Sequence, residues 1–146
     1  MMNVNIICHG TLKEQYLRDA IAEYSKRLSA YCSLNIYEGK DDSSFMKLCN
    51  EKIRDKKDYK IALCVEGKQV DSPGLAEMMG DVPLKGMPGV TFVIGGSDGL
   101  DEEVKAMCHY RLSFSKMTFP HQLMRVILVE QIYRAFTILN NGKYHK

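Results

Sequence analysis

Two short segments, each following an apolar run typical of a strand, could bind a ligand through their backbone. Gly95–Gly99 (Gly-Gly-Ser-Asp-Gly) follows Val90–Ile94, and Phe114–Pro120 follows the next apolar run. In open α/β sheets, ligands bind beyond the carboxyl ends of strands, and glycine lets a ligand approach the backbone closely. Together the two segments could form one pocket that reads an adenine edge through amides and carbonyls. A glycine turn needed for tight packing and an ordinary connection are the alternative interpretations.

The common nucleotide-binding motifs do not fit these segments. Gly95–Gly99 lacks the G-x-G-x-x-G spacing and lies late in the chain, whereas a dinucleotide fingerprint follows an early strand. No P-loop lysine pattern is present either. The sequence therefore disfavours a Rossmann dinucleotide site.

The C-terminal segment Gly142–Lys146 concentrates groups that suit RNA. The rings of Tyr144 and His145 can stack on an unpaired base, and the lysines suit phosphates. A frayed chain end is the alternative.

Among the other histidines, His121 lies beside the Phe114–Pro120 segment and is a candidate positioning residue. We predict that His9 and His109 are surface groups.

Composition restricts the class of protein. A chain of 146 residues, with 45% hydrophobic and 26% charged residues, predicts a single domain spanning 1–146. The net charge of +2 argues against coating nucleic acid through bulk charge but leaves room for one basic face. Five cysteines without a CxxC pair predict reduced thiols and no metal site. Without a secretory signal or an apolar run of ~20 residues, we expect a cytoplasmic protein that does not enter a membrane.

Strand-like and helix-like segments alternate along the chain. This alternation predicts an α/β fold with a mostly parallel sheet covered by helices on both faces. The predicted strands are Val4–Cys8, Leu34–Tyr37, Tyr59–Val65, Val90–Ile94 and Leu112–Phe114. The predicted helices begin at Thr11 (with Glu14 in a capping box), at Asp42 or Ser43, at Ser72, at Asp101 and near Pro120. We predict that the helix from Ser72 ends near Met79 and that Asp81–Gly89 is a loop.

The last predicted helix, from about Pro120 to Asn140, carries apolar residues around nearly its whole circumference. Such a helix must be buried on all sides, and packing against a second copy of the chain is the simplest way to cover it. We therefore predict a homodimer through this helix; burial by other helices of the same subunit is the alternative. Arg134 can pair with Glu130 at i,i+4, whereas Arg125 has no local partner and could serve the site or the interface.

Four motifs, in order, resemble one known family. They are Val93–Leu100, Leu112–His121, Arg125–Ala135 (with Arg125-Val126 and Glu130–Ala135 as its matching parts) and Tyr144–Lys146. The strand pattern at the N-terminus and Leu63–Lys68 fit as well, so the resemblance covers the whole chain. The family is the ribosomal RNA large-subunit methyltransferase H family of the SPOUT superfamily, whose members methylate N3 of a pseudouridine in large-subunit (23S) ribosomal RNA.

This resemblance implies a deep C-terminal trefoil knot, a rare exception to unknotted topology. It implies S-adenosyl-L-methionine as the cofactor and a composite site in which one subunit's tail faces the other's cofactor. The implied cofactor-binding residues are Leu63, Gly95, Gly96, Phe114, Ser115, Lys116, Met117, Thr118 and Phe119. The implied catalytic residues are Tyr144, His145 and Arg134. The segment between Tyr37 and Tyr59 is shorter than is usual in the family, and His9 stands where the family has a small or apolar residue.

The implied reaction transfers a methyl group in line from a sulfonium to a ring nitrogen, so the protein mainly positions the reactants. Because N3 of a pseudouridine carries a proton, a nearby base or cation would help. His145 is the first candidate to contact the base, and Arg134 could support the substrate or the tail. The implied partners are ribosomal RNA and the ribosome. A SPOUT enzyme acting on transfer RNA and a non-catalytic ribosome-associated RNA-binding module are the alternatives.

Overall fold

The computed structural model describes residues 1–146 and contains one five-stranded sheet in the order β2-β1-β4-β3-β5. All four strand pairs are parallel, which confirms the predicted α/β class. In chain order the elements are β1 (Met2–His9), α1 (Gln15–Leu28), β2 (Cys32–Gly39), α2 (Asp42–Lys52), β3 (Tyr59–Gln69), α3 (Ser72–Leu84), β4 (Gly89–Ile94), α4 (Glu102–Ala106), β5 (Tyr110–Ser113) and α5 (His121–Leu139).

Helices cover both faces of the sheet, because neighbouring strand residues point to opposite sides. In β1, the side chains of Ile6 and Cys8 join a large core with α1, α3 and α5. Ile7, between them, joins a smaller core with α2 and α4. β4 is buried along its whole length, as expected for a strand covered on both faces. β4 therefore delivers the segment that follows it to a fixed point at the carboxyl edge.

Two predicted helix boundaries were wrong. The capping box at Thr11 does not form: α1 begins at Gln15, with Glu14 at the N-cap and no side-chain cap bond. α3 does not end near Met79 but runs to Leu84, with Pro83 inside its last turn. Val82 is 1% exposed in the main core, and its burial there favours continuing the helix into the predicted loop.

α5 packs against α1 and α3, so part of its apolar surface is covered within the subunit. Leu128, Val129 and Ile132 are completely buried. Leu123 and Leu139 are 40% and 41% exposed, and Ile127 is half-buried. The homodimer and the trefoil knot stay predictions. None of the helices has the length and apolar character needed to cross a membrane.

Candidate functional site

A cavity of about 630 Å³ opens at the carboxyl edge of the sheet, beyond β4, β3 and β5. This volume lies within the range of typical small-molecule sites. Of the cofactor-binding residues implied by the resemblance, all but Lys116 line it: Leu63, Gly95, Gly96, Phe114, Ser115, Met117, Thr118 and Phe119. Lys116 is exposed and lies outside the lining. The two segments selected from their spacing are thus walls of one pocket.

The first wall is the turn that follows β4. The amide of Gly99 donates to the carbonyl oxygen of Gly96 (3.0 Å), and Gly99 has φ of +76°, which favours glycine. A Cβ on Gly95 would lie 2.6 Å from the carbonyl carbon and oxygen of Gly99. A Cβ on Gly96 would lie 2.8 Å from Nδ1 of His9. The glycines therefore serve tight packing, one of the two interpretations left open, and also expose backbone to the cavity.

The second wall, Phe114–Pro120, is held by its own Ser115 and by Ser113 at the end of β5. The hydroxyl of Ser113 donates to the carbonyl oxygen of Ser115 (2.9 Å), and the amide of Met117 donates to Oγ of Ser115 (3.0 Å). Phe114 is partly buried against the main core, while Met117 is 73% exposed at the cavity mouth. These bonds fix the backbone of the wall without help from a ligand.

A third wall comes from β3. Leu63 and Lys68 both pair with Leu112 of β5, so the residues between them bulge from the ladder. Cys64, Val65 and Glu66 of this bulge line the cavity. The ammonium of Lys105, which lines the cavity from α4, forms an ion pair with Glu66.

The floor includes the first turn of α5, where His121 and Met124 line the cavity. Burial, and then the positive charge of Arg125, lower the pKa of His121, so its imidazole is neutral near pH 7. Burial, and then the charge of Glu66, raise the pKa of the Cys64 thiol, which disfavours a reactive thiolate. No group of three or more His, Cys, Asp and Glu side chains is arranged to hold a metal ion.

The C-terminal tail is docked on the second half of α5. The hydroxyl of Tyr144 donates to Oε2 of Glu130 (2.7 Å), and the guanidinium of Arg134 lies 4.7 Å from the Tyr144 ring centre. Nη1 of Arg134 lies 3.1 Å from Nδ1 of His145. Burial, followed by the bond to Glu130, raises the pKa of Tyr144 and keeps it a neutral phenol. The structure brings Arg134, Tyr144 and His145 together in one cluster.

This cluster lies away from the cavity of its own subunit. The cavity meets α5 at His121 and Met124, and Arg134 lies almost three helical turns beyond Met124. At 1.5 Å per residue the separation is roughly 15 Å along the axis. None of the tail residues lines the cavity of its own subunit.

The structure gives Arg125 a packing role. Its side chain is 2% exposed, its Nη1 pairs with Oε2 of Glu38, and its Nη2 donates to the carbonyl oxygen of Gly10 (3.0 Å). Its Nε is buried without a partner. Arg125 therefore ties α5 to the ends of β1 and β2 beside the cavity. The local sequence pattern could not indicate these partners. Glu38 lies 87 positions before Arg125 in the chain, and Gly10 lies 115 positions before it.

We expect Arg125→Met to lower the free energy of unfolding by about 2–4 kcal/mol, because it leaves Glu38 and the Gly10 carbonyl without their buried partner. Urea denaturation followed by circular dichroism measures the change. Arg54→Met is the matched control: Arg54 pairs with Glu103 in the open, with side chains 47% and 63% exposed. An exposed pair of this kind contributes about 0–1 kcal/mol. Equal effects of the two substitutions would contradict the structural role of Arg125.

The resemblance implied Leu63 of the third wall as a cofactor-binding residue, but sequence reasoning assigned no role to Cys64, Val65, Glu66 or Lys105. Cys64–Glu66 could have been suspected, because they follow a predicted strand at the same edge of the sheet as the two chosen segments. Lys105 follows the lining residue Leu100 closely in the chain but gave no signal of its own, since it stands in a short polar helix. His121 was selected, and it lines the cavity. His109 is exposed as predicted, while His9 packs on the Phe45 ring and lies 2.7 Å from Oδ1 of Asp42.

Comparison with known proteins agrees with the motifs. A family model described as "Predicted SPOUT methyltransferase" matches residues 2–145. The chain is 52% identical over 160 residues to the ribosomal RNA large subunit methyltransferase H of Clostridium novyi (strain NT). It is 46% identical over 159 residues to the protein of the same name from Clostridioides difficile (strain 630). Each alignment covers 99% of this chain and 100% of the relative.

The fold has a counterpart among solved structures. A probable methylase family protein from Haemophilus influenzae Rd KW20 superposes with a TM-score of 0.63 at 16% identity. The match covers 99% of this chain and 71% of that one. At this identity the likeness concerns the fold alone. On the family match and the full-length relatives, the chain belongs to the SPOUT methyltransferase family.

Proposed function

We propose that this protein is an S-adenosylmethionine-dependent methyltransferase that methylates N3 of a pseudouridine in large-subunit ribosomal RNA. The observation that carries the proposal is the cavity between Gly95–Leu100 and Phe114–Pro120, at the carboxyl edge of the parallel sheet. Its relatives' names, which specify the large-subunit ribosomal RNA, support the substrate. Residues 1–146 would act as one domain.

The cavity fits the proposed cofactor in size and chemistry. Apolar side chains such as Leu63, Leu112 and Phe114 suit an adenine ring, and the backbone of Gly95 and Gly96 offers polar groups at close approach. When bound, the cofactor supplies a methyl group already activated on a sulfonium. The chain's own residues then have to hold the acceptor in line and exclude competing water.

The tail is the proposed acceptor side of the site. His145 would contact the uracil-like base, Tyr144 would provide a stacking surface, and Arg134 would orient both. In the structure Arg134 contacts Tyr144 and His145 within one subunit, which supports the orienting role. Because no tail residue lines the cavity of its own subunit, the proposal requires a homodimer in which each tail serves the partner's pocket.

The dimer is expected to dissociate in the variant Ile127→Glu. Ile127 is half-buried on α5, so a charge there would be placed in the proposed interface without entering the subunit core. Sedimentation velocity at micromolar concentration should show a shift from dimer to the 16.6 kDa monomer. Phe136→Glu is the contrasting variant: Phe136 is 5% exposed and stacked on Tyr31, so a charge there should unfold the subunit instead. A wild-type protein that sediments as a monomer would refute the interface.

Two other functions differ in their expected results. A non-catalytic RNA-binding module should take up no S-adenosylmethionine in calorimetry. A SPOUT enzyme for transfer RNA should label transfer RNA instead of ribosomes. The decisive experiment incubates the protein and labelled cofactor with ribosomes from a strain lacking the gene, with transfer RNA in parallel, and maps the product by mass spectrometry. Label at N3 of a large-subunit pseudouridine is the expected result; label confined to transfer RNA would refute the proposal.

A further inference from the structure

The cavity lining combines two kinds of group. Most of it is apolar side chains and glycine backbone, including Leu63, Gly95 and Phe114. The β3 bulge adds Glu66 and α4 adds Lys105. Lys105 is the only lysine or arginine among the lining residues. The pocket therefore combines a site for a flat, largely apolar group with one ion pair of opposite charges.

The ion pair is held in place by a wider network. Nζ of Lys105 pairs with Glu66 and lies 3.6 Å from Oε1 of Glu102, and Glu102 in turn accepts from Nη2 of Arg111 (3.2 Å). The Lys105 side chain is 11% exposed, whereas that of Glu66 is 57% exposed. Hydrogen bonding to Lys105 lowers the pKa of Glu66, and the same bond raises the pKa of Lys105, so both are charged near pH 7. Network contacts thus fix one cation and one anion side by side.

We propose that the Glu66–Lys105 pair binds the amino-acid end of the cofactor, with Lys105 meeting its carboxylate and Glu66 its ammonium group. The inference rests on the proposed function and deepens it by assigning a subsite. Adenosine and a free amino acid are the two parts of this cofactor, and they match the apolar lining and the ion pair of the cavity in chemistry. A zwitterion presents opposite charges a few ångströms apart, as the side-chain pair does, and ionised hydrogen bonds are the stronger kind.

The other titratable groups of the lining do not offer this pairing. Asp98 is exposed on the Gly96–Gly99 turn and supplies negative charge alone. His121 has a lowered pKa and is neutral. A second role for the pair is nevertheless physically reasonable: it could merely fasten the β3 bulge to α4 and keep the cavity shaped. The experiment has to separate binding of the amino acid from support of the wall.

Calorimetry with three ligands separates the two roles. S-adenosylmethionine and S-adenosylhomocysteine carry the amino acid, whereas 5′-methylthioadenosine keeps the adenosine and the sulfur but lacks it. In Lys105→Met, which retains the aliphatic stem, we expect affinity for the first two ligands to fall about tenfold or more, roughly 1.4 kcal/mol. Affinity for methylthioadenosine should change by less than about twofold. Glu66→Gln should show the same selectivity.

Arg111→Met is the matched control, because Arg111 belongs to the ion network but does not line the cavity. It should leave all three affinities near those of the wild type. An equal loss for all three ligands in Lys105→Met would show that the pair only supports the wall, and unchanged affinities would also overturn the inference. Wild-type protein that binds none of the ligands would refute the proposed function itself. Wild-type binding without ligand selectivity in the variants would refute the subsite alone.

Discussion

Replacing Gly95 by valine is expected to weaken S-adenosylmethionine binding at least hundredfold, about 2.7 kcal/mol, in a protein that still folds. A Cβ at this position would lie 2.6 Å from the Gly99 carbonyl, so the turn that walls the cavity must move. The physical reason is thus a distorted wall, and not only a side chain that occupies the ligand's place. Isothermal calorimetry measures the affinity, and circular dichroism checks the fold.

Asp101→Ala is the matched control for this variant, since Asp101 is exposed just beyond the same turn, makes no side-chain cap bond and does not line the cavity. It should bind the cofactor as the wild type does. Because β4 ends at Ile94, the valine lies outside the buried strand and the sheet should be retained. Wild-type affinity in Gly95→Val would mean that the cofactor binds elsewhere.

Deleting Tyr144–Lys146 is expected to reduce methyl transfer to ribosomes roughly hundredfold or more, because the acceptor base would lose its positioning groups. Cofactor affinity and dimerisation should remain near those of the wild type, since the cavity lies at the other end of α5. His145→Ala alone should lower turnover more than cofactor affinity. Full-rate methylation by the truncated protein would mean that the tail is only a chain end.

Mixing two inactive variants tests whether the tail acts on the partner. A mixed dimer of the tail-deleted chain and Gly95→Val contains one complete composite site: the pocket of the first and the tail of the second. If the subunits exchange freely, half of the dimers are mixed, and activity should return to about a quarter of that of the wild type. If the tail acted on its own subunit, the mixed dimers would show no methyltransferase activity.

Local sequence pattern was sufficient for the elements with strong apolar runs. Val90–Ile94 was predicted as a buried strand and forms β4, which begins one residue earlier at Gly89. Boundaries decided by long-range contacts were less predictable. The amide of Lys13 donates to Oε1 of Gln122, and this contact holds the Gly10–Glu14 connection outside α1. Nothing near Thr11 in the chain reveals a partner on α5.

The same distinction applies to the site. The Gly95–Gly99 and Phe114–Pro120 segments carried visible signals, because glycine and proline mark the ends of strands. The Glu66–Lys105 pair carried none, since it depends on the register by which Leu63 and Lys68 both meet Leu112. The tail residues were identifiable by type. Their docking on Glu130 and Arg134 depends on how the chain turns after α5, where Asn141 has φ of +58°.

The strand order also determines when both edges of the N-terminal strand β1 can be paired during synthesis. β1 lies between β2 and β4, and its pairing with β4 joins residues such as Ile6 and Phe92. After β1 leaves the ribosome, roughly 80 residues must be made before β4 follows, which takes about 4–16 s at 5–20 residues per second. During that interval one edge of an apolar strand is open to pairing with other chains. A nascent chain stalled before Gly89 should therefore aggregate or recruit chaperones far more than one released after β4 has emerged.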